Sequence, residues 1–467
     1  MNSRDAVTPH SAPQETDVIV VGAGLAGLMA AAVVARAGRS VQIVEQAGHA
    51  GGRAATNQIK NVQFNLGAHA LYAGGHACRL LREMQIPFAG HFPSQGRPLL
   101  LQRDTSYRLP TNLLALFSSQ LLTFSEKRRM TRFFVTIKNV DARQLDGTTT
   151  RAWIEQAFGR GNLASFIASL VRVATYVDDV DRLSAGAAID QLRLALTGNV
   201  LYLDGGWQTI VAGLRQTAIE NGATLRTSSR ADSTDTTPDG LLVRLSGGET
   251  IRGRTVILAV EPDAACRLLD RSADSFLVRW MAQRVAVSAA CLDVALDRLP
   301  RPRDRFALGL DRPMYYSVHS AAARLGPDGV HVLHLMKYLR HDRDEAPEAV
   351  GAELESFLDQ LQPGWRSHVV ARRLLPRMIV SHAIPLASDG GLAGRPSVNS
   401  AEIRNVFLAG DWVGTEGMLA DASAASAVSA AQQALESLRS HNRSSGDNIS
   451  TNSGSVDDRE SVLYGRA

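Results

Sequence analysis

The stretch Asp17-Val-Ile-Val-Val-Gly22-Ala23-Gly24-Leu25-Ala26-Gly27 decides how this chain folds. Its β-branched opening, residues 18–21, has the pattern of a strand buried on both faces. Glycines follow at once in the spacing Gly22-x-Gly24-x-x-Gly27. Residues 28–37 are good helix formers, and Gly38 stands where a helix closes in a left-handed turn. Ser40-Val-Gln-Ile-Val-Glu45 then reads as a second strand. The whole is a compact βαβ unit of about 30 residues.

This arrangement binds a dinucleotide. Gly22 permits the tight turn, Gly24 lets a diphosphate approach the backbone, and Gly27 lets helix and strand pack closely. With Ala23, Leu25 and Ala26 between them, the helix start offers free N–H groups and partial positive charge to the diphosphate. Glu45, at the end of the second strand, accepts hydrogen bonds from ribose hydroxyls and disfavours a 2′-phosphate, so NADP does not fit. Gly51-Gly52-Arg53 follows directly. NAD needs no such segment. It suits a longer ligand whose diphosphate is contacted from two sides, with Arg53 offering two parallel hydrogen bonds.

Composition narrows the class without naming a chemistry. The 467 residues are 45% apolar and 21% charged, with 39 glycines, which excludes collagen-like, mucin-like and wholly disordered chains. A net charge of +4 on 50 basic and 46 acidic residues gives no reason to expect nucleic acid. Cys78, Cys266 and Cys291 are far apart and odd in number, so they read as free thiols in a reducing compartment, with no metal site. The start of the chain lacks the apolar core of a secretory signal, and no run approaches the ~18 apolar residues of a membrane span. The expectation is a cytoplasmic protein, at most attached to a membrane surface. Residues 1–15 and the Ser/Asn/Asp/Gly-rich residues 441–467 read as disordered.

Between these ends the pattern alternates. Residues 80–197 read mostly helical, with helices expected at 112–123, 126–140 and 151–171. Residues 199–203 read as a strand, 207–221 as a helix, and 224–229, 241–245 and 255–260 as strands. Longer strands are expected at 285–297 and 330–338, a buried one at 406–409, and an Ala-rich helix at 421–438.

Four segments together resemble the flavin-dependent superfamily of amine oxidases, protoporphyrinogen oxidases and phytoene-type desaturases. They are residues 17–53, Phe64-Asn-Leu-Gly67-Ala68-His69, Leu203-Asp-Gly-Gly206 with the strands ending at Ala259, and Asn405-Val-Phe-Leu-Ala-Gly410-Asp411-Trp412 with the helix after Ala420. The resemblance covers about 40% of the chain by these segments and implies FAD. It places Gly67 and Ala68 beside the flavin and the Ala231 backbone at the adenine. It puts Gly410 and Asp411 at the ribityl–diphosphate region, and Met418, Leu419 and Ala420 under the pyrimidine edge. A helix N-terminus at that edge favours the negative charge of the reduced ring. The implied fold is α/β: a Rossmann-like FAD-binding domain of glutathione-reductase type, interwoven with an α+β substrate domain. The expected partition is 16–75, 206–265 and 397–440 for FAD, and 76–205 and 266–396 for substrate. Asn65, Ala231, Asp421, Ala422 and Ala427 depart from the family's usual residues.

Within the superfamily the residues favour some chemistries over others. Amine oxidases typically carry a strand lysine near flavin N5 and an aromatic pair. Residues 285–296 contain no lysine, and residues 414–420 contain no aromatic. Lys337 reads as a solvated strand lysine. The Gly-Asp-Trp and Ala-Asp-Ala-Ser ending is more like desaturases acting on isoprenoid lipids. The expected reaction is therefore hydride abstraction from an unsaturated, hydrophobic, isoprenoid-like small molecule to FAD, with oxygen or a quinone as electron acceptor. Amine or amino-acid oxidation with peroxide release is the alternative, and a non-catalytic flavin-fold binding protein the second. His69 is the candidate catalytic residue, able to polarise substrate or act as a base. Tyr72, Tyr315, Tyr316 and His334 are pocket candidates. Residues 113–132, apolar and then basic, are a candidate peripheral membrane contact.

Overall fold

The structure is a computed structural model that describes residues 14–450 except 68, 70, 94, 95, 239, 270–274 and 400. The expected disorder before residue 14 and after residue 450 lies outside the described residues.

The βαβ unit forms as its pattern dictates. Strand Gln14–Val21 pairs in parallel with Val41–Val44 on one side and with Thr250–Leu258 on the other, in the register Val18↔Val41 and Val20↔Ile257. Val18, Ile19 and Val20 are fully buried, which is why the run carries no alternation. The seven-stranded sheet runs Thr224–Arg226, Val41–Val44, Gln14–Val21, Thr250–Leu258, Gly240–Leu245, Ala231–Thr237. The long strand Thr250–Leu258 is shared. Its first half pairs antiparallel with the hairpin, and Val256, Ile257 and Leu258 pair in parallel with Val406–Leu408. Helices Leu25–Arg36, Gln208–Glu220 and Leu419–Ser450 cover this sheet. The last runs past residue 440, where the polar composition predicted disorder.

A second seven-stranded sheet runs Val369–Ser381, Val287–Leu296, His331–Leu339, Met314–Val318, Phe306–Gly309, Leu99–Gln102, Thr105–Arg108. Every residue of Val287–Leu296 is buried, because both faces are covered. Ala290, Leu292, Val294 and Leu296 face helix Pro347–Leu361. Ala289 and Cys291 face a helical layer that includes Asn162–Thr175 and Ala185–Gly198. The 13-residue strand Val369–Ser381 was not legible, since only one of its residues in the stretch 370–380 is fully buried and its polar positions follow no strict alternation.

The expected helix at 112–123 is a single turn and a half, Leu113–Ser118. A second N-terminus interrupts it: Thr123 and Glu126 form a capping box that opens Phe124–Thr136. Cys78, Cys266 and Cys291 are buried and form no disulfide among the described residues. Among the described residues no helix is long and apolar enough to cross a membrane, and no cluster of His, Cys, Asp or Glu is placed to hold a metal ion.

Candidate active site

The glycine motif makes a cradle. Gly22 sits at φ +102°, and a side chain there would come within 2.5 Å of the Ala259 carbonyl. A Cβ on Gly27 would overlap the Gly22 carbonyl oxygen, so helix and turn touch at that point. Gly24 differs: nothing lies within 4 Å of the position its Cβ would take. It caps helix Leu25–Arg36 with no side-chain hydrogen bond and no acid in the first turn, leaving N–H groups free for an anion. The Ala23 N–H donates to Glu45 Oε2 at 2.7 Å and the Ala47 N–H to Oε1 at 2.8 Å, which fixes the carboxylate at the strand end. Gly51 donates to the Ala23 carbonyl at 2.8 Å, bringing the two glycine segments side by side.

These residues open into one cavity of about 850 Å³, near the upper end of the roughly 300–1,000 Å³ usual for small-molecule sites. Gly22, Gly24, Leu25, Ala26, Glu45, Gly51, Gly52 and Arg53 line it. Ala231, beside Arg230 and Asp232, lines it too, as do Gly410, Asp411, Leu419 and Ala420. Asp411 is 2% exposed. It accepts both teeth of the Arg53 guanidinium, at 2.9 and 3.0 Å, together with the His382 N–H at 3.1 Å and His382 Nδ1 at 3.0 Å. Burial opposes ionisation of Asp411, but Arg53 and His382 outweigh it and hold the carboxyl well below its usual range.

His69 lines the cavity with Trp207, Tyr176, Leu375 and Met378. Its Nδ1 donates to the Gly67 carbonyl at 2.9 Å and its ring packs 4.7 Å from that of Trp207. Burial lowers its pKa to about 4, so at neutral pH the ring is uncharged.

The flavin containing amine oxidoreductase family matches residues 25–435. The chain belongs to that family. Human all-trans-retinol 13,14-reductase is 38% identical over 66 residues, which are 14% of this chain and 11% of that protein; the chain thus spans about a tenth of the curated relatives it matches. Among solved structures, an oxidoreductase from Methanosarcina mazei superposes with a TM-score of 0.73 at 18% identity, covering 88% of this chain and 99% of the other. Putrescine oxidase bound to putrescine gives a TM-score of 0.68 at 16% identity, with 90% and 99% covered. At such identities these structures share the fold.

As a member of the flavin-containing family the chain is an FAD-dependent oxidoreductase, and the residues present fit the cofactor. Gly24 leaves open space at an uncapped helix N-terminus, and the Glu45 carboxylate is fixed at the strand end. The second glycine pair and Arg53 flank the same cavity.

Other expected site residues have different places. Gly67 is at φ +91°, and a side chain there would collide with the Met378 thioether. Ala23 and Gly27 shape the turn from behind the lining. Met418 is buried, and its carbonyl accepts the Asp421 N–H at 3.1 Å to start the last helix. Ala68 lies outside the described residues. Tyr72 donates to the Ala174 carbonyl at 2.9 Å. Tyr315 meets the Tyr202 hydroxyl at 2.8 Å. Tyr316 is on the other face of its sheet, donating to the Asp304 carbonyl at 3.0 Å beneath helix Pro347–Leu361. His334 is bonded through Nδ1 to Asp293, which Arg373 also engages at 2.9 Å. None of these four candidates is among the cavity-lining residues: Tyr315, Tyr316 and His334 are packed within the second sheet, where adjacent residues alternate faces, and Tyr72 lies in the short strand Leu71–Tyr72, its hydroxyl taken by the Ala174 carbonyl. Lys337 is likewise not solvated: it is 6% exposed, faces helix Pro347–Leu361 and pairs with Glu345 and Glu353. No lysine is among the cavity-lining residues described.

Two departures from the family pattern have local reasons. Asn65 Oδ1 accepts from Thr56 at 2.8 Å and from the Trp207 N–H at 2.9 Å, fixing the start of helix Gln208–Glu220. Asp421 Oδ1 accepts the Ala77 N–H at 2.8 Å, capping helix His76–Glu83. Sequence reasoning missed His382 and Tyr176. Neither sits in a motif, and each reaches the cavity through strand and helix ends far away in the chain.

Proposed function

We propose that this oxidoreductase abstracts hydride from an unsaturated, hydrophobic, isoprenoid-like substrate, with oxygen or a quinone taking the electrons afterwards. One observation carries the reading. The cavity wall that the second sheet and its helices contribute, Tyr176, Leu375, Met378, Ile379 and Val380, has no carboxylate and no lysine. The acids lining the cavity, Glu45, Asp232, Glu261 and Asp411, belong to the opposite, dinucleotide-binding side. A cationic amine entering along the apolar wall meets no counter-charge, whereas a polyene loses nothing by leaving water. The short segment shared with a retinol reductase supports the same substrate class.

Bound FAD supplies the hydride acceptor. The chain's own residues do the rest. Leu375 and Met378 exclude water from the reacting carbon. The neutral His69 orients the substrate without bringing a charge into the apolar wall. Leu419 and Ala420 present the start of the last helix, whose N-terminal field favours negative charge on the reduced cofactor. A lipophilic substrate also implies delivery from a membrane through residues 113–132.

Anaerobic bleaching of the flavin absorbance tests the reading. The expected result is bleaching by polyenes. Bleaching by amines alone, with peroxide released on admitting oxygen, overturns it.

A further inference from the structure

Helix Phe124–Thr136 has one face that none of the described residues covers. Met130 and Phe133 point inward, at 0% and 7% exposure. Phe124, Arg128 and Val135, spaced by four and seven residues, share the outward face. Phe124 is 70% exposed and Val135 71%. The preceding turn, Leu113–Ser118, adds Leu113 at 57%, Leu114 at 86% and Phe117 at 47%. Lys127 Nζ donates to the Phe117 carbonyl at 2.8 Å, tying the two helices so that their exposed side chains form one patch. Singly exposed apolar residues need no explanation, but this cluster does.

Charge decides what covers it. Residues 112–140 hold Lys127, Arg128, Arg129, Arg132 and Lys138 against one acid, Glu126, an excess as large as that of the whole chain. Glu126 is turned away from the patch: Oε2 accepts the Thr123 N–H at 2.8 Å and Oε1 faces the Leu163 N–H at 3.4 Å. Arg128, Arg132 and Lys138 are exposed, and no ion pair engages them among the described residues. A twofold-related second copy would set these cations against their own equivalents, so self-association is disfavoured. An apolar rim bordered by unpaired cations matches the acyl boundary and phosphates of an anionic bilayer.

We propose that Leu113, Leu114, Phe117 and Phe124 insert into an anionic lipid surface while Arg128, Arg132 and Lys138 bind its phosphates. This rests on the lipophilic-substrate reading and names its lipid partner. The core beneath the patch contains Met130 and Phe133 and is continuous with Tyr176, Leu375 and Met378 of the cavity wall.

The test is flotation of the full-length, flavin-loaded protein with phosphatidylcholine vesicles, with and without phosphatidylglycerol, at low and high salt. Wild type floats with the anionic vesicles, and salt weakens it. Arg128→Gln with Arg132→Gln lowers the partition coefficient roughly fivefold per charge removed. Leu114→Ser with Phe124→Ser abolishes flotation. All four positions are exposed, so unchanged flavin content and melting temperature show that the variants fold. Wild type that stays unbound, that floats equally with neutral vesicles, or that self-associates through this patch without lipid overturns the proposal. Flotation does not depend on flavin reduction, so a failure of the substrate assignment is seen separately, in the bleaching assay.

Discussion

Arg53 and Asp411 stand 358 residues apart in the chain and meet as a two-toothed pair, Nη2 to Oδ1 at 2.9 Å and Nη1 to Oδ2 at 3.0 Å. The contact joins the second glycine segment to the strand end after Val406–Leu408. Asp411→Asn removes the charge that both Arg53 and His382 engage. Arg53 is more than a third exposed, so solvent screens part of the loss. The expected cost is about 2 kcal/mol in urea denaturation, with lower flavin content in the purified protein.

Gly24 and Gly27 separate cofactor binding from folding. Gly24→Asp keeps the fold, because its Cβ has open space, and even gains up to about 1 kcal/mol as a helix cap in the cofactor-free protein. It loses FAD, since the new carboxylate faces the diphosphate. Gly27→Ala is expected to cost about 3 kcal/mol or more, because the methyl group overlaps the Gly22 carbonyl. Calorimetry of both apo-proteins, with the flavin content of each preparation, checks the contrast.

The partly buried, neutral His69 makes stability depend on pH. The unfolded chain takes up this proton near pH 6.5 and the folded one only near 4, so acid favours unfolding between those values. Stability present above pH 6.5 is lost as pH falls, by up to about 3 kcal/mol for this residue at pH 4. His319, lowered well below its usual value by burial, acts in the same direction. Denaturation curves at pH 7, 5.5 and 4.5 for wild type and His69→Gln should show a shallower acid loss in the variant.

Lys337→Met distinguishes a cofactor lysine from a structural one. Its ammonium pairs with Glu345 and Glu353 on the face away from the cavity. The expected outcome is a loss of about 1–2 kcal/mol in stability, with an unchanged rate of flavin reduction. A stopped-flow rate that fell tenfold would place this lysine in the chemistry.

The dinucleotide half of the site was legible because its determinants are local. Strand, turn and helix follow one another within residues 14–36, and steric limits on Gly22 and Gly27 act between neighbours. Glu45, Gly51-Gly52-Arg53 and Gly410-Asp411 were legible from the same spacing logic and from resemblance, and all line one cavity. The half contributed by the second sheet was not. In the strands Met314–Val318 and His331–Leu339 nearly every residue is buried, so no alternation marks which face a side chain takes. Tyr315 and Tyr316 are adjacent and apolar-bodied alike, yet they end on opposite faces in different cores. His382 acquires its place only when the end of Val369–Ser381 reaches Asp411. By itself the sequence determined the cofactor cradle, since local backbone sterics and helix-end charge act along contiguous residues. The tertiary structure alone decided the apolar wall of the cavity, the direction of Lys337 and the exposed face of Phe124–Thr136, because strand pairing and layer packing choose which side of each element is buried.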